Sequence, residues 1–135
     1  MAKSALYTVN NSTQTVPVDG AINLGTIVRR FGYNLDLSGN AIKLDGAGYY
    51  ELDASVTLEP SAAGEVTLTA YLNGIALSGA TASETVATED TPVNLSICAL
   101  IREGCPCCNS NSNITFVLTG TESNVTNIAT ITKKI

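Results

Sequence analysis

The sequence predicts an all-β chain folded as an antiparallel two-sheet sandwich or closed barrel. Three observations carry that reading. Thr, Val and Ile fill short apolar segments, and Gly, Asn, Asp and Ser punctuate them. No window of about 11 residues keeps a helical period. The apolar segments recur at a spacing of roughly ten residues, as strands joined by short turns do.

Taken in order, Ala5–Val9 is the first predicted strand and Thr15–Val18 the second. Ile22–Leu24 and Thr26–Arg30 are weaker. The stretch from Gly25 to Gly32 is the nearest approach to a helix, but it is short, β-branched and fenced by glycines. Gly32–Asn40 reads as a loop. Ala41–Leu44 leads through a glycine turn into Tyr49–Leu58. There Tyr50, Leu52, Ala54, Val56 and Leu58 share one face, and Tyr49, Glu51, Asp53, Ser55 and Thr57 the other.

Glu59–Gly64, with Pro60, reads as a loop. Glu65–Leu72 turns Val66, Leu68, Ala70 and Leu72 inward and Thr67, Thr69 and Tyr71 outward. Asn73-Gly74 supplies a type I′ turn into Ile75–Leu77. Ser83–Asp90 is polar and reads as a loop. Val93–Ile101 sets Val93, Leu95, Ile97, Ala99 and Ile101 against Asn94, Ser96, Cys98 and Leu100. Arg102–Asn113 is a predicted loop containing three cysteines. Ile114–Thr119 and Val125–Ile135 close the chain. In the last segment Ile128 opposes a row of Val125, Ala129 and Ile131.

With 135 residues and 14.0 kDa, residues 1–135 are read as one domain. Hydrophobic residues are 44% and charged residues 14%, which argues against disorder. No apolar run approaches the roughly 20 residues of a membrane span. Met1-Ala2-Lys3-Ser4-Ala5 lacks the apolar core of a secretory signal, so synthesis in the cytoplasm is expected. The chain has no histidine, which excludes Ser-His-Asp and Cys-His catalysis and histidine-bound metals. It has no Trp, aromatics are 5%, and the net charge is −5. Nucleic-acid binding is therefore not expected, and neither an enzyme nor a cofactor is.

Ala41-Ile42-Lys43-Leu44-Asp45-Gly46-Ala47-Gly48-Tyr49-Tyr50-Glu51-Leu52 resembles the strand–Gly–Tyr–strand signature of TNF-like jelly rolls, among them tumour necrosis factor and the globular heads of complement and collagen-like proteins. Val66–Leu72 with Asn73-Gly74 resembles the following hairpin. A jelly roll and an immunoglobulin-like sandwich share this strand pattern; the Gly48-Tyr49 resemblance selects the jelly roll. The chain also resembles small proteins of gut Firmicutes and their phages, which share the Ala-Leu-Tyr-Thr-Val-Asn start and a cysteine-bearing loop. The resemblance implies a trimeric structural or adhesive module on a phage virion or a bacterial cell or spore surface.

Cys105-Pro106-Cys107-Cys108, with Cys98 upstream, is the most unusual feature. A metal held by Cys98, Cys105, Cys107 and Cys108 is one reading, although the spacing departs from paired zinc knuckles. A disulfide, from Cys98 to the loop or from Cys105 to Cys108, is another. A plain thiol-bearing loop is the third. Glu89-Asp90 lacks the pattern of a calcium loop. Tyr49 and Tyr71 either cover an interface or form a cross-strand pair.

Two strands carry apolar residues on both faces. Cys98 and Leu100 oppose one core row and Ile128 opposes another, and a second apolar stripe needs a partner. The expected partner is a second and third copy of the chain, joined through Tyr49, Tyr71, Cys98, Leu100 and Ile128; other virion or surface proteins are further expected partners. Two other readings stand beside this one: a cell-surface or carbohydrate-binding adhesin working through loops at one sandwich end, and a cysteine-loop metal-stapled protein.

Overall fold

The computed structural model describes residues 3–104 and 111–135. Two antiparallel sheets face each other. Sheet I runs in the order β10 (Val93–Glu103), β7 (Gly48–Pro60), β12 (Ser123–Lys134), β1 (Ser4–Asn10), β4 (Thr26–Phe31), and short β2 (Gln14–Val16) also pairs with β12. Sheet II runs β5 (Leu35–Ser38), β6 (Ala41–Asp45), β11 (Asn111–Thr119), β8 (Gly64–Leu72), β9 (Ile75–Val86), and two-residue β3 (Gly20–Ala21) pairs with β11. From β6 to β8, and again from β9 to β12, the chain changes sheet at every connection. Its first and last long strands, β1 and β12, are neighbours along their length, Ser4 opposite Lys134 and Asn10 opposite Ile128. That winding is a jelly roll, not an immunoglobulin-like sandwich.

The core lies between the sheets. The predicted rows of β7 and β8 are its walls: Tyr50, Leu52, Val56 and Leu58 from one sheet, and Val66, Leu68 and Ala70 from the other, beside Ile114, Phe116 and Leu118 of β11. Tyr50 is wholly buried, yet its hydroxyl donates to the Gly46 carbonyl at 2.8 Å and lies 3.1 Å from that of Asp45. Burial, with Glu103 and Asp45 adding negative charge nearby, pushes its phenol up to about 12. Asn73 and Gly74 form the expected two-residue hairpin loop, with φ of 53° and 82°, the pair of positive values that a type I′ turn requires.

Several expectations are corrected. Leu35–Ser38 is a strand inside the predicted Gly32–Asn40 loop, because Leu35 is buried and pairs with Leu44. Ile22–Leu24 is not a strand; Ile22 and Leu24 are core residues, and the Ile22 amide bonds the Phe116 carbonyl. The predicted loop at Ser83–Asp90 begins later, since β9 continues to Val86. Its Ser83 hydroxyl bonds Thr67 across the sheet while Val86 turns inward. Strands β10 and β11 likewise extend to Glu103 and from Asn111, shortening the predicted Arg102–Asn113 loop.

Two corrections bear on assembly. Strands β7 and β8 are consecutive but lie in opposite sheets, so Tyr49 and Tyr71 form neither a cross-strand pair nor a common patch. On β12 the pairing with β7 slips between Val125 and Asn127. One extra residue shifts the alternation by one. Val125 and Ile128 therefore both point into the core, each fully buried. Ile128 is a core residue and not part of an outer surface; Ala129 and Ile131 take the outer positions.

Candidate assembly surface

Strands β1 and β12 are patterned inside out. Toward the core they turn Ser4, Thr8, Thr130 and Thr132, all essentially inaccessible, beside Leu6 and Ile128. The Thr8 and Thr130 hydroxyls hydrogen-bond each other, while Thr132 Oγ1 has no partner among the described residues. Away from the core the same strands present Ala5, Tyr7, Val9, Ala129 and Ile131. A sandwich standing alone places apolar side chains inside and hydroxyls outside. Here the same two strands reverse that arrangement, at a cost in core burial.

The register assembles these residues into rows across the outer face of sheet I. One row reads Leu100, Glu51, Lys133, Ala5, Phe31; the next reads Cys98, Asp53, Ile131, Tyr7, Arg29. Leu100, Phe31, Tyr49 and Ile131 are about half exposed or more, at 64%, 62%, 49% and 47%. Glu51 and Lys133 lie side by side, 3.7 Å apart, and neutralise each other within the face. Both are solvated, so the pair contributes little to stability.

A shallow hollow of about 420 Å³ opens on this face among Tyr7, Asp53, Ser55, Cys98, Ala129 and Ile131. A wider one, about 590 Å³, lies beside it where Leu100, Cys98 and Ile135 meet Gly79 of β9. Toward the far end the face becomes polar. Asn94 donates to the Ser55 and Thr57 hydroxyls, both at 3.1 Å. An apolar centre with a hydrogen-bonding margin is the layout of a protein–protein interface.

The outer face of sheet II is the contrast. Thr67 bonds Ser83, and Thr69 bonds Thr81, across β8 and β9. Thr115, Val117 and Thr119 continue these rows on β11, so hydroxyls outnumber the apolar side chains Val117 and Tyr71 there. Tyr71 lies half-buried beside Ala76 and Thr115.

Of the residues expected at an interface, Tyr49, Cys98 and Leu100 lie on the outer face of sheet I, whereas Ile128 and Tyr71 do not. Tyr7, Phe31 and Ile131 lie on that face too and were not among the expected residues. For β1 the signal was present in the sequence, in the alternation of Ala5, Tyr7 and Val9 with Ser4 and Thr8. Cys98 carries an exposed thiol opposite Asp53 and pairs with no cysteine among the described residues; a bridge from it to the cysteine loop would fall on residues outside them. Cys105, Cys107 and Cys108 lie outside the described residues. Among the described residues no three Cys, Asp or Glu side chains gather as a metal site.

No family model matches the sequence, and no curated protein does. Solved structures do match the fold over nearly the whole chain. Murine APRIL superposes with a TM-score of 0.72 at 14% identity, covering 98% of this chain and 99% of that one. The chain is a TNF-like jelly roll. The globular domain of zebrafish complement 1qA protein gives 0.65 at 10% identity, with 97% and 95% covered. PRD1 vertex protein P5 gives 0.62 at 16% identity, again with 97% and 95% covered. Identities this low establish a shared TNF-like fold and no more; the surface chemistry is this chain's own.

Proposed function

We propose that this chain is a non-enzymatic assembly module: a homotrimer joined through the outer face of sheet I, serving as a structural part of a phage virion or a bacterial surface. One observation carries the reading. Strands β1 and β12 bury hydroxyls and turn Tyr7, Val9, Ala129 and Ile131 outward, while the opposite sheet turns a mostly threonine and serine face outward. A closed ring of identical subunits buries such a face without leaving an open end, and three copies is the number that the TNF-like resemblance implies. The PRD1 vertex protein among the fold's neighbours supports a place on a virion. The absence of histidine supports a non-catalytic role.

Native mass by size-exclusion chromatography with light scattering tests this. The parent is expected at three times the chain mass, with or without reductant. Leu100→Asp and Ile131→Asp are expected at one chain mass with an unchanged circular dichroism spectrum. A parent of single-chain mass overturns the proposal, as does retention of the parent mass by both variants.

A further inference from the structure

On the flank where the two sheet edges β4 and β5 meet there is a second site, which the assembly face does not use. Phe31 and Arg29 of β4 belong to the outer face, being opposite Ala5 and Tyr7. Arg30 has the other parity. It stands opposite buried Leu6, and its guanidinium reaches Asp36 at 3.5 Å. Beyond it the chain turns at Gly32, with φ of 82°, where a Cβ would collide with Ser4 Oγ and the Lys3 carbonyl.

The segment after the turn is tied down from two sides. Ser4 Oγ donates to Asn34 Oδ1 at 2.9 Å and accepts from the Asn34 amide at 3.2 Å. Asn34 Nδ2 donates to the Asp45 carbonyl at 2.7 Å, and the Asp45 amide donates back to the Asn34 carbonyl at 2.8 Å. Buried Leu35 anchors the next position. On this fixed segment Tyr33 is 92% exposed, the most exposed of the large apolar side chains among the described residues. Its ring contributes almost no burial to the fold.

Tyr33 stands at a hollow of about 220 Å³ bounded by Arg30, Asn34, Asp36, Lys43 and Asp45. Two cations and two carboxylates cancel, so neither an anion nor a cation is drawn in by net charge. Carboxylates accept hydrogen bonds; guanidinium, ammonium and amide groups donate them. Exposed polar groups of both kinds, gathered around a tied-down segment and beside a bare aromatic ring, fit a neutral ring with hydroxyls on its rim and a C–H face for the tyrosine. The volume is below the roughly 300–1,000 Å³ of sites that enclose a drug-sized ligand, so the occupant is a single unit at a chain end or branch.

We propose that this hollow is a carbohydrate-binding site, with Tyr33 as the stacking surface and Asp36, Asp45, Arg30 and Lys43 as the hydroxyl partners. The site does not rest on the trimer, because Arg30 points away from the face that carries Phe31.

The test is amide chemical-shift titration of the full chain with glucose, galactose, mannose, N-acetylglucosamine and N-acetylgalactosamine. Each is taken to about 50 mM, which saturates a site of millimolar Kd. Expected is saturable movement at Tyr33, Asp36 and Asp45 with at least one sugar. Tyr33→Ala and Asp36→Asn should each weaken it tenfold or more, with native mass and circular dichroism unchanged. The proposal is overturned if no sugar saturates, if Tyr33→Ala leaves the titration intact, or if glycine betaine saturates the site and no sugar does.

Discussion

Residues Ile128 and Ile131 stand three apart on one strand and differ only in which way the slip between Val125 and Asn127 turns them. Replacing each by Ala, in turn, measures that slip. Ile128 is fully buried, so its truncation loses transfer energy and leaves a cavity, about 3 kcal/mol within the 2–5 kcal/mol range of such changes. Ile131 is 47% exposed, so roughly half of a side chain worth about 1.5–3 kcal/mol is already in water. No enclosed cavity forms there, and the loss within one subunit is about 1 kcal/mol. The comparison belongs in the Leu100→Asp background, where assembly no longer adds to stability. With a urea m-value of about 2 kcal/mol/M, the midpoints fall by about 1.5 M for Ile128→Ala and about 0.5 M for Ile131→Ala. Uninterrupted alternation makes the opposite prediction, with Ile128 outward and Ile131 inward. Equal losses, or the reverse order, would refute the slip and with it the placing of Ile131 on the outer face.

Two further outcomes follow from particular groups. The folded state favours the neutral Tyr50 phenol, whose pKa is raised from 10.0 to about 12. Its contribution is present in full below pH 10 and is lost as pH rises to 12. Tyr50→Phe is expected to be less stable by about 1 kcal/mol at pH 8, with the gap to the parent closing between pH 10 and 12 in urea midpoints; a gap that stays constant contradicts the burial of the hydroxyl. Cys98 lies in the centre of the proposed contact, so its alkylation by iodoacetamide, mapped by peptide mass, should be slow in the parent and fast in Leu100→Asp. Equal rates would place Cys98 outside the contact.

How much of this was legible varies with the kind of signal. The rows of β7, β8 and β10 were read correctly because each strand alternates without interruption and one face is clearly apolar. The Asn73-Gly74 turn was read because few residues tolerate two positive φ values in succession. Strand β5 was hidden, since four residues flanked by Gly and Asn give no period to count. The end of β9 was hidden because its outward Ser83 and Thr85 look like loop chemistry when the partner hydroxyls on β8 are unknown. Ile128 was misplaced because a bulge leaves no mark on composition; nothing in Asn124-Val125-Thr126-Asn127 announces an extra residue. The pairing of Tyr49 with Tyr71 failed for a topological reason: the short connection 61–63 crosses between sheets, and its length alone does not distinguish that from a hairpin. Tyr33 falls inside the predicted Gly32–Asn40 loop, where an aromatic has no pattern to belong to.

Strand β4 shows how one edge serves two surfaces. All six of its residues are exposed, and an exposed edge with Ile27, Val28 and Phe31 invites unwanted pairing with other chains. Its register against β1 shifts between Tyr7 and Thr8, which breaks the flat template, and Arg29 and Arg30 add charge to it. Alternation then divides the strand's work. Phe31 and Arg29 extend the apolar face that the subunits are proposed to share. Arg30 turns the other way to hold Asp36 at the rim of the flank hollow. If the proposed trimer buries only the first surface, it presents three copies of the hollow. Single-sugar sites are weak, and their usefulness depends on repetition. Linked sites gain about 10²–10⁴ in avidity where geometry lets them engage together. A trimer with three outward sugar sites is therefore suited to a repeating glycan on a surface, the target that an exposed virion or cell-surface module meets.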